Sequence, residues 1–347
     1  MSSYETLLEN YAEDERLSHI TFAEMSTMFD SLTEFVNEEV ELTVEISLQE
    51  AEDGEVQEKD KKFGAAVKKT IRKLIEKLKA FITKIGEAVK AFVTKAKMVV
   101  KQGGNAALGK MLKKNGIKVT KKFTYKVVKE GTANSISKLY GNAASAASAL
   151  DTAVKSVNIN TTPVSVPEVP ESVASVIEAF AKKFEDSSVI ATKDYNPSDE
   201  PVSKVYADIV APYLDEVKKG IDNVEKVCGG AQKQAKSLIS ELKKGENDNQ
   251  KTVNADGIAK VSKLSTACMQ LSAATVRFAN SVLTIATKNA AKLALAAGAS
   301  VPAAAKEKGG EVKADLKSKA QGVKANINAH KTGMAGKKAG AIQKQED

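Results

Sequence analysis

Residues 61–100 read KKFGAAVKKTIRKLIEKLKAFITKIGEAVKAFVTKAKMVV, and the period of this stretch decides the fold. Phe63, Val67, Ile71, Leu74, Leu78, Phe81, Ile85, Val89 and Phe92 advance by three or four residues throughout. Side chains at that spacing share one face of an α-helix, whereas strand residues would alternate. Ile75, Ile82 and Val93 widen the stripe, and Lys68, Lys69, Lys73, Lys77, Lys84 and Lys90 occupy other positions. The pattern predicts a helix with an apolar face and a basic remainder. Roughly 40 residues at about 1.5 Å each would span about 60 Å. Gly64 and Gly86 are expected to weaken it locally. A core-facing helix and a membrane-surface helix share this pattern, so both readings stand at this point.

The rest of the chain points the same way. Its 347 residues allow two or so domains, and 42% are apolar, but only 5% are aromatic and there is no Trp. Such a core is built mainly from Ala, Val, Ile and Leu, and with abundant Lys and Glu this favours helices. The 7 prolines cluster, leaving long stretches free to be helical. The fold class expected is all-α, with long amphipathic helices, a helical hairpin or small bundle in the second half, and a disordered basic tail.

Five regions follow from composition. Residues 1–50 form an acidic leader, with Met25, Met28, Phe29, Leu32, Phe35, Val36 and Val40 at helical steps. Residues 51–157 form a basic helical region, interrupted by KQGGNAALGK at 101–110. Within it Ile117, Val119, Phe123, Tyr125 and Val127 partly alternate, which suits a short strand or hairpin as well as a helix. Gly141 with Asn142 marks a turn signal early in the next helical pattern. Residues 158–170 contain Pro163, Pro167 and Pro170 and read as an extended linker. Residues 171–301 read as a helical bundle: a short helix, the loop ATKDYNPSDEP, a helix over 202–244, and a last long helix over 258–297. The helix over 202–244 is expected to bend or split near Pro212 and Gly229–Gly230. Residues 302–347 form a low-complexity Lys/Ala/Gly tail with ten lysines against five acids, too poor in apolar anchors for a core.

Charge is distributed unevenly. Residues 1–50 hold thirteen acids and one base, Arg16, a net −12, while the whole chain is +8 and the remainder therefore +20. Residues 59–130 alone hold 22 bases against 4 acids. The excess is nearly all lysine, because only Arg16, Arg72 and Arg277 are arginines. Lysine is a compact point charge suited to non-specific attraction, whereas arginine favours bidentate recognition. A bulk polyanion such as DNA, bound without regard to sequence, is the partner this composition suits. Lys68, Lys69, Arg72, Lys73, Lys77 and Lys79 are the candidate polyanion-binding residues.

Motifs for chemistry are not found. His19 and His330 lack metal-ligand spacing, no phosphate loop or G-x-S-x-G occurs, and Cys228 and Cys268 read as small buried hydrophobes in a reducing compartment. The expectation is a non-enzymatic protein with no cofactor and no catalytic or metal-binding residues. No signal peptide is visible in the first 15 residues, and the most apolar stretch, 271–299, is interrupted by Arg277, Lys288 and Lys292.

The sign change itself, in LQEAEDGEVQEKDKKFGAAVKK at 48–69, suggests a leader that neutralises the basic segment until it is severed. In this layout the chain resembles the internal head, or prohead core, proteins of large tailed bacteriophages. The resemblance covers residues 1–100. It implies an acidic propeptide removed by the head maturation protease after a glutamate, in a [Leu/Ile]-x-Glu context. Leu48-Gln49-Glu50 fits, followed by the small Ala51, and Leu7-Leu8-Glu9 fits too. The same pattern recurs at Leu32-Thr33-Glu34, Leu74-Ile75-Glu76, Ile85-Gly86-Glu87, Leu214-Asp215-Glu216 and Ile239-Ser240-Glu241. Glu50 is singled out by the charge boundary and the polar joint beside it. The resemblance further implies synthesis in the bacterial cytoplasm, packaging with DNA in the virion interior beside other capsid or core proteins, and ejection into the host as an option. The alternative function is a membrane-active or pore-forming helical protein that uses 61–100 against anionic lipid. A scaffolding protein whose stripes are hidden by self-association is a third reading.

Overall fold

The structure, a computed structural model, describes residues 59–114, 116–128, 136–159, 165–185, 190–197, 200–247 and 255–298. The helices are α1 (Lys59–Lys101), α2 (Ala106–Leu112), α3 (Ile136–Lys155), α4 (Glu171–Glu185), α5 (Val202–Ile209), α6 (Ala211–Asn247) and α7 (Ala255–Ala296). Two strands, β1 (Phe123–Val128) and β2 (Ile190–Tyr195), make a small sheet. The protein is thus mostly α-helical, as its periodicity predicts. The leader 1–50 and the tail 302–347 lie outside the described residues.

Helix α7 is the axis of the core, meeting α1, α2, α3, α4, α5, α6 and β1. Its sequence explains how: Ala, Ser and Thr spaced among Val, Leu and Ile leave little bulk on any side, so neighbours approach from nearly all round. Ser265, Ser272 and Thr275 are buried there, and their hydroxyls donate to the carbonyls of Val261 (2.8 Å), Cys268 (2.8 Å) and Leu271 (2.7 Å). Each hydroxyl is satisfied by its own helix one turn back, so it enters the core without needing a partner on another helix.

Helix α1 runs antiparallel to α6. Gln232 Nε2 on α6 donates to the Ile82 carbonyl (3.0 Å), and Lys97 faces Glu225 at 3.9 Å. The predicted stripe is the buried face: Ile71, Leu74, Leu78, Phe81, Ile85 and Phe92 are all in the core. Gly86 does not interrupt α1. A Cβ there would stand 3.1 Å from Gln232 Nε2, so the glycine lets that amide reach the α1 backbone. Helix α6 also packs parallel to α3, through Asn223 Nδ2 to the Tyr140 carbonyl (2.7 Å) and Gln234 Nε2 to the Ala147 carbonyl (3.1 Å). The basic region 51–157 and the bundle 171–301 therefore share one core. At its centre Phe278 of α7 stacks on Phe180 of α4 (centroids 4.3 Å apart) and meets the edge of Tyr140 of α3 (5.2 Å).

Three local expectations are corrected. The alternating segment near 123 is a strand, and its partner lies in ATKDYNPSDEP, which composition assigns to a loop. β1 and β2 pair antiparallel from Phe123↔Tyr195 to Val128↔Ile190. The outer edge of β1 is closed by side chains. Asn289 of α7 accepts from the Lys126 N–H (3.0 Å) and donates to the Lys126 carbonyl (2.9 Å), while the Val128 N–H donates to Tyr213 Oη (2.8 Å). One amide thus supplies the two hydrogen bonds a neighbouring strand would have made. The helix over 202–244 splits near Pro212 as its sequence predicts, with the break at Val210 and Pro212 in the first turn of α6, where its missing N–H costs nothing. α6 continues through Gly229–Gly230, and α3 continues through Gly141. In the linker, Asn158 and Ser165 pair backbone to backbone (2.8 and 3.0 Å), and α4 begins immediately after Pro170.

Candidate nucleic-acid interface

With the stripe of α1 turned inward, its lysines form the outer face. Arg72, Lys73 and Lys79 are exposed, and Lys68 and Lys77 are half-buried; Lys69 is on α1 but outside the described side chains. Lys68 and Arg72 stand one turn apart, as do Lys73 and Lys77, each pair about 5–6 Å apart at the Cβ atoms, and Lys79 lies about two turns beyond Arg72 along the same row. Five of the six predicted residues thus lie on the outward side of α1, and Lys69 belongs to the same helix. Exposed Lys84, Lys90, Lys97 and Lys101 continue it toward the C-terminal end, with Glu76 and Glu87 among the exposed acids on α1. The Lys97–Glu225 contact is long and both side chains are at least half exposed, so it holds little of this charge in place. Such a surface can attract phosphates but offers no directional reading of bases.

Leu48, Gln49, Glu50 and Ala51 lie outside the described residues. The structure does discriminate among the other [Leu/Ile]-x-Glu matches. Leu74-Ile75-Glu76 and Ile85-Gly86-Glu87 are inside α1, and Leu214-Asp215-Glu216 and Ile239-Ser240-Glu241 inside α6, with Leu74, Ile75, Ile85, Leu214 and Ile239 buried. A protease needs an extended, accessible chain, so these four are protected by the fold.

The perturbed titratable groups are consequences of packing and surface pairing. Burial raises Tyr140, and more modestly Tyr206 and Tyr213; hydrogen bonds to Glu200 and Asp215 raise Lys204 and Lys218. Among the described residues no group of three or more His, Cys, Asp and Glu could hold a metal ion. Cys228 and Cys268 are free and buried between α6 and α7, the first facing the Ser272 carbonyl (3.8 Å) and the second Gln234 Oε1 (3.2 Å). Burial pushes both thiols up to about 12. A thiol raised this way stays neutral at pH 8, so little of the reactive thiolate is present. A disulfide-based thiol reagent at pH 8 is therefore expected to label neither cysteine in the folded chain and both in denaturant. Rapid labelling without denaturant would show the α6–α7 interface to be open.

No protein-family model, no curated protein and no solved structure matches the chain. The arrangement of its own residues is what a functional reading rests on.

In the sequence the lysines of 101–126 belong to the basic block, with no sign of their place in space. The structure gathers them at the C-terminal end of α7, through the turn Gln102–Asn105, α2, the following loop and β1. Nothing in their spacing signals this, because the contacts that gather them join residues more than 160 positions apart.

Proposed function

We propose that this is a non-enzymatic internal head protein of a bacteriophage, packaged with DNA after an acidic leader is cut off near Glu50. The observation that carries the reading is the pairing of a −12 leader with a basic helix whose apolar face is already in use. Because α6 and α7 cover the stripe of α1, the leader is not required as its packing partner. Its remaining role toward α1 is electrostatic: carboxylates that hold a polyanion off the lysine rows until they are removed. The protected state of the matches within α1 and α6 supports a cut in the head of the chain over one inside the fold.

The membrane reading gains less. α1 would have to leave α6 and α7 to present its stripe to lipid, and among the described residues no helix is long and apolar enough to cross a membrane.

The experiment is an intact-mass measurement of the protein from the particles that carry it, joined to a DNA titration of the severed chain. The expected result is a chain beginning at Ala51 that binds duplex DNA of any sequence, with affinity falling steeply with salt. A mature chain still beginning at Met1 would overturn the reading. Release of dye from anionic vesicles by the severed chain, without DNA binding, would move the assignment to membrane action.

A further inference from the structure

Resting on the DNA-binding part of that reading, we infer that the main phosphate-binding surface is not the α1 face but the lysine-lined end formed around β1 and the C-terminal end of α7. Between Lys101 and Val128 the sequence has eight lysines and no acid. All eight, Lys101, Lys110, Lys113, Lys114, Lys118, Lys121, Lys122 and Lys126, are exposed.

The segment that carries them is fixed to a short length of α7. Gly104 lies against Ala290, Lys126 is held by Asn289, and Thr120 donates to the Ala296 carbonyl through both its N–H (3.2 Å) and its hydroxyl (3.3 Å). From Asn289 to Ala296 is seven residues, about 10 Å of helix. Lys292 Nζ reaches Thr124 Oγ1 (2.9 Å), and exposed Lys288 adds charge on the same turn of α7. The lysines of 101–126 are thereby crowded onto one end of the fold instead of being strung along a helix of about 65 Å. On α1, by contrast, Glu76 and Glu87 interrupt the rows.

Among the described residues the acids nearby are mostly engaged. Asp194 on β2 pairs with Lys122 (3.4 Å), and Glu200 accepts from Lys204 and from Tyr195 Oη (3.4 Å), leaving exposed Asp208 on α5 beside Lys204. Like charges gathered this closely raise the local potential, which a dense polyanion relieves by releasing its counterions.

The surface favours a duplex over unpaired bases. Phe123, Tyr125 and Tyr195 pack on one another, with centroids 6.1 and 5.1 Å apart, so their rings are not an open stacking platform. There is no arginine in 101–128 to read base edges. The contact is therefore to phosphate, and a double helix supplies about one charge per 1.7 Å of axis.

The test uses the severed chain beginning at Ala51, which keeps all of the described fold and lacks the leader that would hold polyanions off, and a short synthetic duplex of random sequence followed by fluorescence anisotropy. One variant carries Lys110→Gln, Lys113→Gln, Lys114→Gln, Lys121→Gln and Lys126→Gln; a control carries Lys73→Gln, Lys79→Gln, Lys84→Gln, Lys90→Gln and Lys97→Gln. At roughly 50 mM salt the first is expected to lose about 100-fold or more in affinity, and its salt slope to fall by about one per contacting lysine. The control is expected to lose less than about threefold. Should the first variant lack a cooperative melt, Lys113→Gln/Lys114→Gln alone is expected to lower the slope by about two. Equal or larger loss in the control, or an unchanged slope in the first variant, overturns the inference while DNA binding stands. No binding by the severed chain removes both.

Discussion

Phe278→Ala is expected to cost about 3–5 kcal/mol of folding stability, the range for truncating a buried phenylalanine. The reason is its position: the ring stands at the junction of α3, α4 and α7, stacked on Phe180 at 4.3 Å and edge-on to Tyr140 at 5.2 Å. All three rings are buried, so truncation leaves a cavity lined on two sides by aromatics that cannot easily collapse into it. The two ring contacts add about 0.5–1.5 kcal/mol each beyond simple burial. Phe278→Leu keeps most of the volume and should cost far less, about 1–1.5 kcal/mol. Urea titration followed by circular dichroism measures both. A loss below about 1 kcal/mol for Phe278→Ala would mean that α4 is not docked on α7 as described.

Gly104→Val is expected to destabilise by about 3–4 kcal/mol, because two costs fall on one residue. Gly104 has φ +91°, where a side chain meets its own backbone, and a Cβ there would lie 2.7 Å from Ala290 Cβ and 3.1 Å from Val210 Cγ1. Both neighbours are buried, one on α7 and one at the α5–α6 break, so neither can swing away. A cycle separates the two costs. Gly104→Ala should be partly rescued by Ala290→Gly, which relieves the clash and leaves the backbone strain. A coupling energy indistinguishable from zero in thermal melts would contradict the close approach of this turn to α7.

What the sequence made legible were the long amphipathic elements. The stripe from Ile71 to Phe92 and the rhythm from Ile258 to Ile285 both mark core faces, because a helix buried on one side repeats every three or four residues. Even there, α7 is under-read: Ser272 and Thr275 are as buried as the apolar residues beside them, since their hydroxyls are satisfied within the helix. β2 was not legible. Its exposed Thr192, Lys193 and Asp194 give no alternation, and its partner strand lies more than sixty residues earlier. The break at Val210 was legible from Pro212 two residues on, because proline is tolerated in the first turn of a helix and so marks where a new one begins. Of the polyanion surface, the sequence showed the charge but not its concentration, because lysine rows on a helix are local and the lysine-lined end is assembled by contacts to α7.

The amide of Asn289 has a consequence for life at high concentration. A short sheet with a bare margin is a template on which another molecule can add a strand, and growth by that route is how crowded proteins turn into fibres. Here one margin is occupied by Asn289 and Tyr213, and the other strand carries Lys193 and Asp194 in the open, where an incoming strand would have to bury their charges. Neither border invites a copy to join, so a dense store of this protein should stay a solution of separate molecules rather than polymerise through its sheet.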